Sequence, residues 1–190
     1  MQTQKIQVKL YATGESKIDL PALVPVLHGW IREKKVEDAL VDVANYDHVP
    51  KGPGVVLIGI ASDYYLDLGE GRPGLLYSRK REAEGSLRER IADAFRRAFV
   101  AASLLESEEA LELRFGTSEI LFRIPDRLNA PNEDATLDEV RPVLDEVLGT
   151  LFGSGAYELE RAGEPRDVFT VRIRIKASGG GTHAELAAKL

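Results

Sequence analysis

Residues 39–60, ALVDVANYDHVPKGPGVVLIGI, decide how the chain reads. Over 39–46, Val41 and Val43 face one way and Leu40, Asp42, Ala44 and Tyr46 the other, the period-two pattern of a strand. Pro50, Gly52, Pro53 and Gly54 then supply a turn. Residues 55–66 follow as one long strand, apolar on both faces in its first half, which places it centrally in a sheet or under a cover. Two strands joined by a proline–glycine turn point to an antiparallel sheet. Beside the turn lies the chain's densest group of chemically capable side chains: Asp42, Asn45, Tyr46, Asp47, His48 and Lys51.

Outward from this stretch, strands and helices mix. Residues 5–11 alternate Ile6, Val8 and Leu10 with Lys5, Gln7 and Lys9, a half-buried strand. Asp19 caps a helix to about residue 34, with Pro21 in the first turn, Pro25 deeper, and an apolar stripe of Leu20, Leu23, Leu27, Trp30 and Ile31. On the other side, GEGRPG at 69–74 is a turn and a return strand begins at Leu75. Ser86 with Glu89 forms a capping box for a long helix to about residue 106. Residues 111–115 and 119–124 read as a hairpin turning at 116–118. Thr136 with Glu139 reads as a second capping box, opening a helix to about residue 152. Strands at 157–161 and 168–175 close the domain. A glycine linker at 179–181 and a short helical pattern at 182–190 form a flexible C-terminal tail.

The first and third helices match at a fixed offset. Asp19, Leu20, Leu23, Pro25, Val26, Leu27 and Ile31 correspond to Thr136, Leu137, Val140, Pro142, Val143, Leu144 and Leu148, each 117 positions on (136 minus 19). Matched interior prolines are informative because proline costs ~3 kcal/mol inside a helix. The expected architecture is therefore a single α+β domain over residues 1–178. Its antiparallel sheet is built from two related strand–helix–strand–strand units, near 5–61 and 119–175, with the helices on one face. This order resembles the tandem modules of GyrI-like proteins, many of which bind small molecules between their halves. It also resembles the modules of vicinal oxygen chelate proteins, but the first strand, KIQVKLY, has none of the His or Glu ligands that the second likeness implies.

Composition narrows function. The 190 residues carry 31 acids and 25 bases, a net charge of −6, which disfavours non-specific binding of nucleic acid. There is no cysteine, hence no disulfide or thiolate chemistry, and no apolar run of signal-peptide or membrane-spanning kind. The expectation is a cytoplasmic protein that acts on neither membrane nor nucleic acid.

The chemistry-bearing residues form no established motif: there is no HExxH, GxSxG, P-loop or GxGxxG. Asp42, Asp47 and His48 are the candidates for a general base and its carboxylate, the basis of an alternative reading as a hydrolase or lyase. Asp42, Tyr46, Asp63, Tyr64 and Tyr77 are the candidates for a pocket that takes a polar or cationic organic ligand. Arg79, Lys80, Arg81, Arg88, Arg90, Arg96 and Arg97 are interleaved with Glu82, Glu84, Glu89 and Asp93, the pattern of a solvated, ion-paired helix face. Seven bases against four acids still leave +3 over 79–97, to which Arg172 and Arg174 add on the wet face of the last strand, so this basic stretch is the candidate for a small anionic partner. The expected function is a non-catalytic domain that binds a small molecule or a partner protein, with no metal and no cofactor. A third reading is a homodimer or larger oligomer held through the apolar strand at 55–60.

Overall fold

Alternating strands that each bury one face give an eight-stranded antiparallel sheet in the order β2-β3-β4-β5-β1-β6-β8-β7. The computed structural model describes residues 3–49, 52–176 and 181–190. Pro50 and Lys51 of the first turn and residues 177–180 around the linker lie outside the described residues. The strands are β1 (Ile6–Ala12), β2 (Leu40–Asn45), β3 (Val55–Gly59), β4 (Ser62–Asp67), β5 (Gly74–Arg79), β6 (Phe115–Ile124), β7 (Tyr157–Arg161) and β8 (Phe169–Ile175). The helices are α1 (Leu20–Glu33), α2 (Leu87–Ser107), α3 (Asp134–Phe152) and α4 (His183–Ala187). The chain is α+β, with its helices packed on the sheet.

The helices divide the sheet between them. α1 covers β2 and β3, α2 covers β1 and β5, α3 covers β7 and β8, and α4 rests on α2. Beneath them lie Ile6, Val8 and Leu10 of β1, Leu57 of β3, Tyr64 of β4, Tyr77 of β5, Phe122 of β6 and Val171 of β8. Phe95 of α2 stacks on Phe122 with ring centroids 6.3 Å apart. Trp30 of α1 is buried and donates from Nε1 to Glu108 Oε1 at 2.8 Å, joining α1 to the end of α2. Burying a side chain of this size stabilises by ~2 kcal/mol, and its one polar atom is satisfied.

Several local expectations change. The stretch 55–66 is two strands, because the chain reverses at Ile60 and Ala61. The Asp38 carboxylate holds that turn, accepting from Ser62 N at 2.8 Å and Ser62 Oγ at 2.5 Å. Gly59 is required there: a Cβ would stand 2.6 Å from both Asp38 Oδ2 and Ser62 O. The hairpin expected at 116–118 is absent. β6 continues through Gly116 with a bulge opposite Tyr11, where its register with β1 shifts, and the residues before it pair with the β1–α1 connection (Thr13 N to Arg114 O, 2.8 Å; Lys17 N to Glu112 O, 2.8 Å). Thr136 does not cap α3; it is buried within the first turn, and Glu133 stands at the N-cap without a side-chain bond. The boxes at Ser86–Glu89 and the cap at Asp19 form as read.

The last residues, expected as a tail, dock. Thr182 and Glu185 make a capping box for α4, and His183 and Leu186 are buried against the core. His183 Nδ1 lies 3.0 Å from Glu106 Oε2 and its ring sits 5.9 Å from that of Phe99. The two strand–helix–strand–strand segments have different pairings. β8 lies beside β6, whereas β5 and β4 stand between β1 and β3. Pro25 and Pro142 each lie inside their helix.

Candidate functional site

Alternation sends every second residue to the sheet face that carries no helix. Lys9 and Tyr11 of β1, Asp63, Tyr65 and Asp67 of β4, Leu121 and Arg123 of β6, and Arg172 and Arg174 of β8 point there. This face is shielded by long charged side chains laid over the apolar floor, not by a second layer. One carboxylate, Glu119, receives Arg72 Nη1 at 2.6 Å and lies 3.3 Å from Arg172 Nε. Glu160 pairs with Arg174 at 2.7 Å.

The turn between β4 and β5 folds over this face. Its single 3-10 turn, Gly69–Gly71, is anchored from below by Lys9, a lysine with no exposed surface. Lys9 Nζ donates to Asp67 Oδ2 at 2.5 Å and to Gly69 O at 3.2 Å, and lies 3.9 Å from Glu70 Oε2. A buried ammonium is tolerated only when paired in this way. Glu70 reaches on to Arg123, which its carboxylate grips closely. Arg72 lies over the Tyr11 ring, its Cζ 3.6 Å from the centroid.

Between this turn, the open faces of β6 and β8 and the β7–β8 connection runs a groove of about 760 Å³. Its lining includes five arginines, Arg72, Arg123, Arg127, Arg166 and Arg172, but only two acids, Glu70 and Asp167. Even with Glu119 and Glu160 included, the latter 3.7 Å from Arg172 Nη1, positive charge is in excess, in a chain whose net charge is −6. The guanidiniums are incompletely satisfied. Arg127 donates to a carbonyl, Arg166 O, at 3.1 Å, and the exposed Arg166 side chain makes no ion pair among the described residues. Arg172 Nε, though near Glu119, lacks hydrogen-bonding geometry; it and Arg123 Nε are buried donors with no acceptor among the described residues, as are Arg79 Nε and Arg90 Nε outside the groove. Burial pushes the Tyr11 phenol above its ordinary value, with Arg72 opposing, so Tyr11 stays protonated and remains a donor. Such a set suits an oxyanion.

The residues singled out from sequence do not meet in one place. Tyr64 and Tyr77 face the helices, buried edge-to-face with centroids 5.3 Å apart. Asp63, one residue before Tyr64, is on the opposite face, where it accepts from Lys80 Nζ at 2.7 Å. Tyr65, beside it, has its phenol pushed up to about 12 by burial and by Asp63. Asp42 is exposed on edge strand β2 and accepts from the Val43 amide. With Pro25, His28, Ile31, Arg32 and Val41 it lines a shallow depression of about 500 Å³. Tyr46, Asp47 and His48 are exposed in the β2–β3 loop, and no described carboxylate bonds His48. Val55, Val56 and Leu57 are buried, Ile58 is half-buried, and Ile60, in the turn, is exposed.

The basic stretch 79–97 is ion-paired in part: of its four interleaved acids only Asp93 pairs with it among the described residues, while Lys80 and Arg88 reach Asp63 and Glu146. Arg79, Arg96 and Arg97 converge on Asp93 at 2.5, 3.0 and 2.8 Å, and Glu37 also pairs with Arg96. Burial alone raises the Asp93 carboxyl, but the three guanidiniums overcome it and hold the group below the usual range. Sequence reading reached one groove residue, Arg172, through the wet face of β8. The rest come from β1, β6, β8 and three separate connections that only the fold brings together.

Among the described residues, no His, Asp and Glu cluster is suited to a metal ion, and no helix is long and apolar enough to cross a membrane. Against models of known protein families and against curated protein sequences, the chain has no match.

Proposed function

We propose that this is a non-catalytic binding domain whose ligand is a small organic or inorganic oxyanion, held in the groove on the open sheet face. One observation carries the reading: five guanidiniums converge there with too few carboxylates to neutralise them. Arg127 and Arg166 offer charge at the rim, while Arg123 and Arg172 offer forked donors at the floor. Tyr11 adds a neutral phenol. The groove volume lies within the range of small-molecule sites.

The test is calorimetric titration of the full chain with pyrophosphate and citrate at low salt. About 0.7 kcal/mol per heavy atom for pyrophosphate, and about 0.5 for the larger citrate, corresponds to a dissociation constant of roughly 10–100 µM. Affinity falls as sodium chloride is raised, because a partly open site is screened. Absence of heat and of any thermal stabilisation by either anion at millimolar concentration overturns the reading.

A further inference from the structure

Glu70 stands in the groove in an unusual way. Its backbone lies at φ 62° and ψ 15°, the left-handed region that residues with a side chain adopt at a cost. Gly69 precedes it and Gly71 follows at φ 66°, so glycine would suit this turn without strain. What glycine lacks is the carboxylate. That carboxylate reaches across the sheet face to Arg123, one of the two floor guanidiniums with a buried, unsatisfied Nε. It remains 44% exposed while Arg123 is 17% exposed, so the carboxylate is the partner with access to solvent. The turn that carries it has an independent anchor: Lys9 holds Gly69 O and Asp67 from beneath.

On the oxyanion-binding reading above, we infer that Glu70 is an internal stand-in for the ligand, a carboxylate that occupies Arg123 until an incoming oxyanion replaces it. The ligand class follows from the exchange. The incoming group must present two oxygens to a guanidinium fork, as a carboxylate or phosphate does, and must carry a second negative charge. That second charge meets Arg127 and Arg166 at the rim and favours the newcomer over Glu70, which carries one. Monoanions lack the second contact and lose the competition. Released, Glu70 stays near Lys9, whose ammonium already lies 3.9 Å from its other oxygen.

The experiment compares the full-length protein with Glu70→Gln and Glu70→Gly, using pyrophosphate, citrate and acetate as probes. Removing the competing charge raises affinity for pyrophosphate and citrate three- to tenfold, the range expected for release of one partly exposed ion pair. Acetate binds measurably only to the variants. The ratio of the pyrophosphate and citrate gains tells a phosphate site from a carboxylate site. Equal affinities in wild type and both variants, or weaker binding in the variants, overturn the exchange while leaving the groove reading intact. Failure of all three proteins to bind either polyanion overturns the groove reading, and the exchange with it. Both variants keep the Lys9 anchor, so unfolding midpoints near that of the wild type confirm that affinities are compared between folded proteins.

Discussion

The molecule holds two clusters of arginines that differ in how they are assembled. On α2 and the end of β5, Arg79, Arg96 and Arg97 surround Asp93, with Glu37 closing the outer side. Three arginines meet two acids here, one of them from a distant loop, yet each of the three guanidiniums reaches a carboxylate. On the open sheet face, Arg72, Arg123, Arg127, Arg166 and Arg172 come from β6, β8 and three separate connections, and their carboxylates are shared or missing. The difference lies in pairing: each arginine around Asp93 has a carboxylate partner, while two in the groove, Arg127 and Arg166, have none among the described residues.

That contrast can be broken by substitution. The largest effect belongs to Lys9→Ala, which leaves Asp67 without its partner and unties the Gly69–Gly71 turn. Stripping one partner from a pair this buried costs about 3 kcal/mol, read as a lowered urea midpoint. Asp93→Ala comes next, at about 2 kcal/mol, because its carboxylate is about a quarter exposed and water compensates part of the loss. If the two clusters differ as argued, Asp93→Ala leaves pyrophosphate binding unchanged.

The rim arginines give the opposite result. Arg127→Ala and Arg166→Ala alter stability by less than about 0.5 kcal/mol, as surface changes do, but weaken pyrophosphate binding by roughly three- to tenfold. Arg96→Ala, made on the ion-paired cluster around Asp93, has no such effect on binding in the same calorimetric assay.

The smallest effect is in pH. Burial raises the Glu106 carboxyl, but the hydrogen bond from His183 and the Phe115 amide outweigh it and leave the group below its usual value. A depressed carboxyl contributes stability that is present above its unfolded value, about 4.3, and lost as pH falls through the folded one. The stability gap between wild type and Glu106→Gln therefore narrows below about pH 4, measured as urea midpoints across pH 3–7. Docking of α4 is what that gap reports.

The sheet, its antiparallel sense and its helix-covered face were legible because period-two and helical spacing directly encode burial. The turn at Ile60 and Ala61 was not, since its two central residues are apolar and its hold is the Asp38 carboxylate from a distant loop; Gly59 and Ser62 beside them were the available signal. Gly116 misled in the reverse direction: it reads as a turn but lies inside β6. Tyr64 and Tyr77 were grouped with Asp63 by chemistry alone, and the pleat placed them on opposite faces. The groove escaped notice because no two of its arginines share a motif. Arg127, Arg166 and Arg72 sit singly in connections, and a lone arginine in a loop carries no signal until the fold closes around it.

The most direct test is a titration of isotope-labelled protein with pyrophosphate, followed by backbone amide NMR. The account predicts shift changes concentrated at residues 69–72, 121–127 and 162–172, with the amides of 86–97 unmoved. Changes centred on 79–97, or spread over the whole surface without saturation, would contradict the assignment of the open-face groove as the binding site.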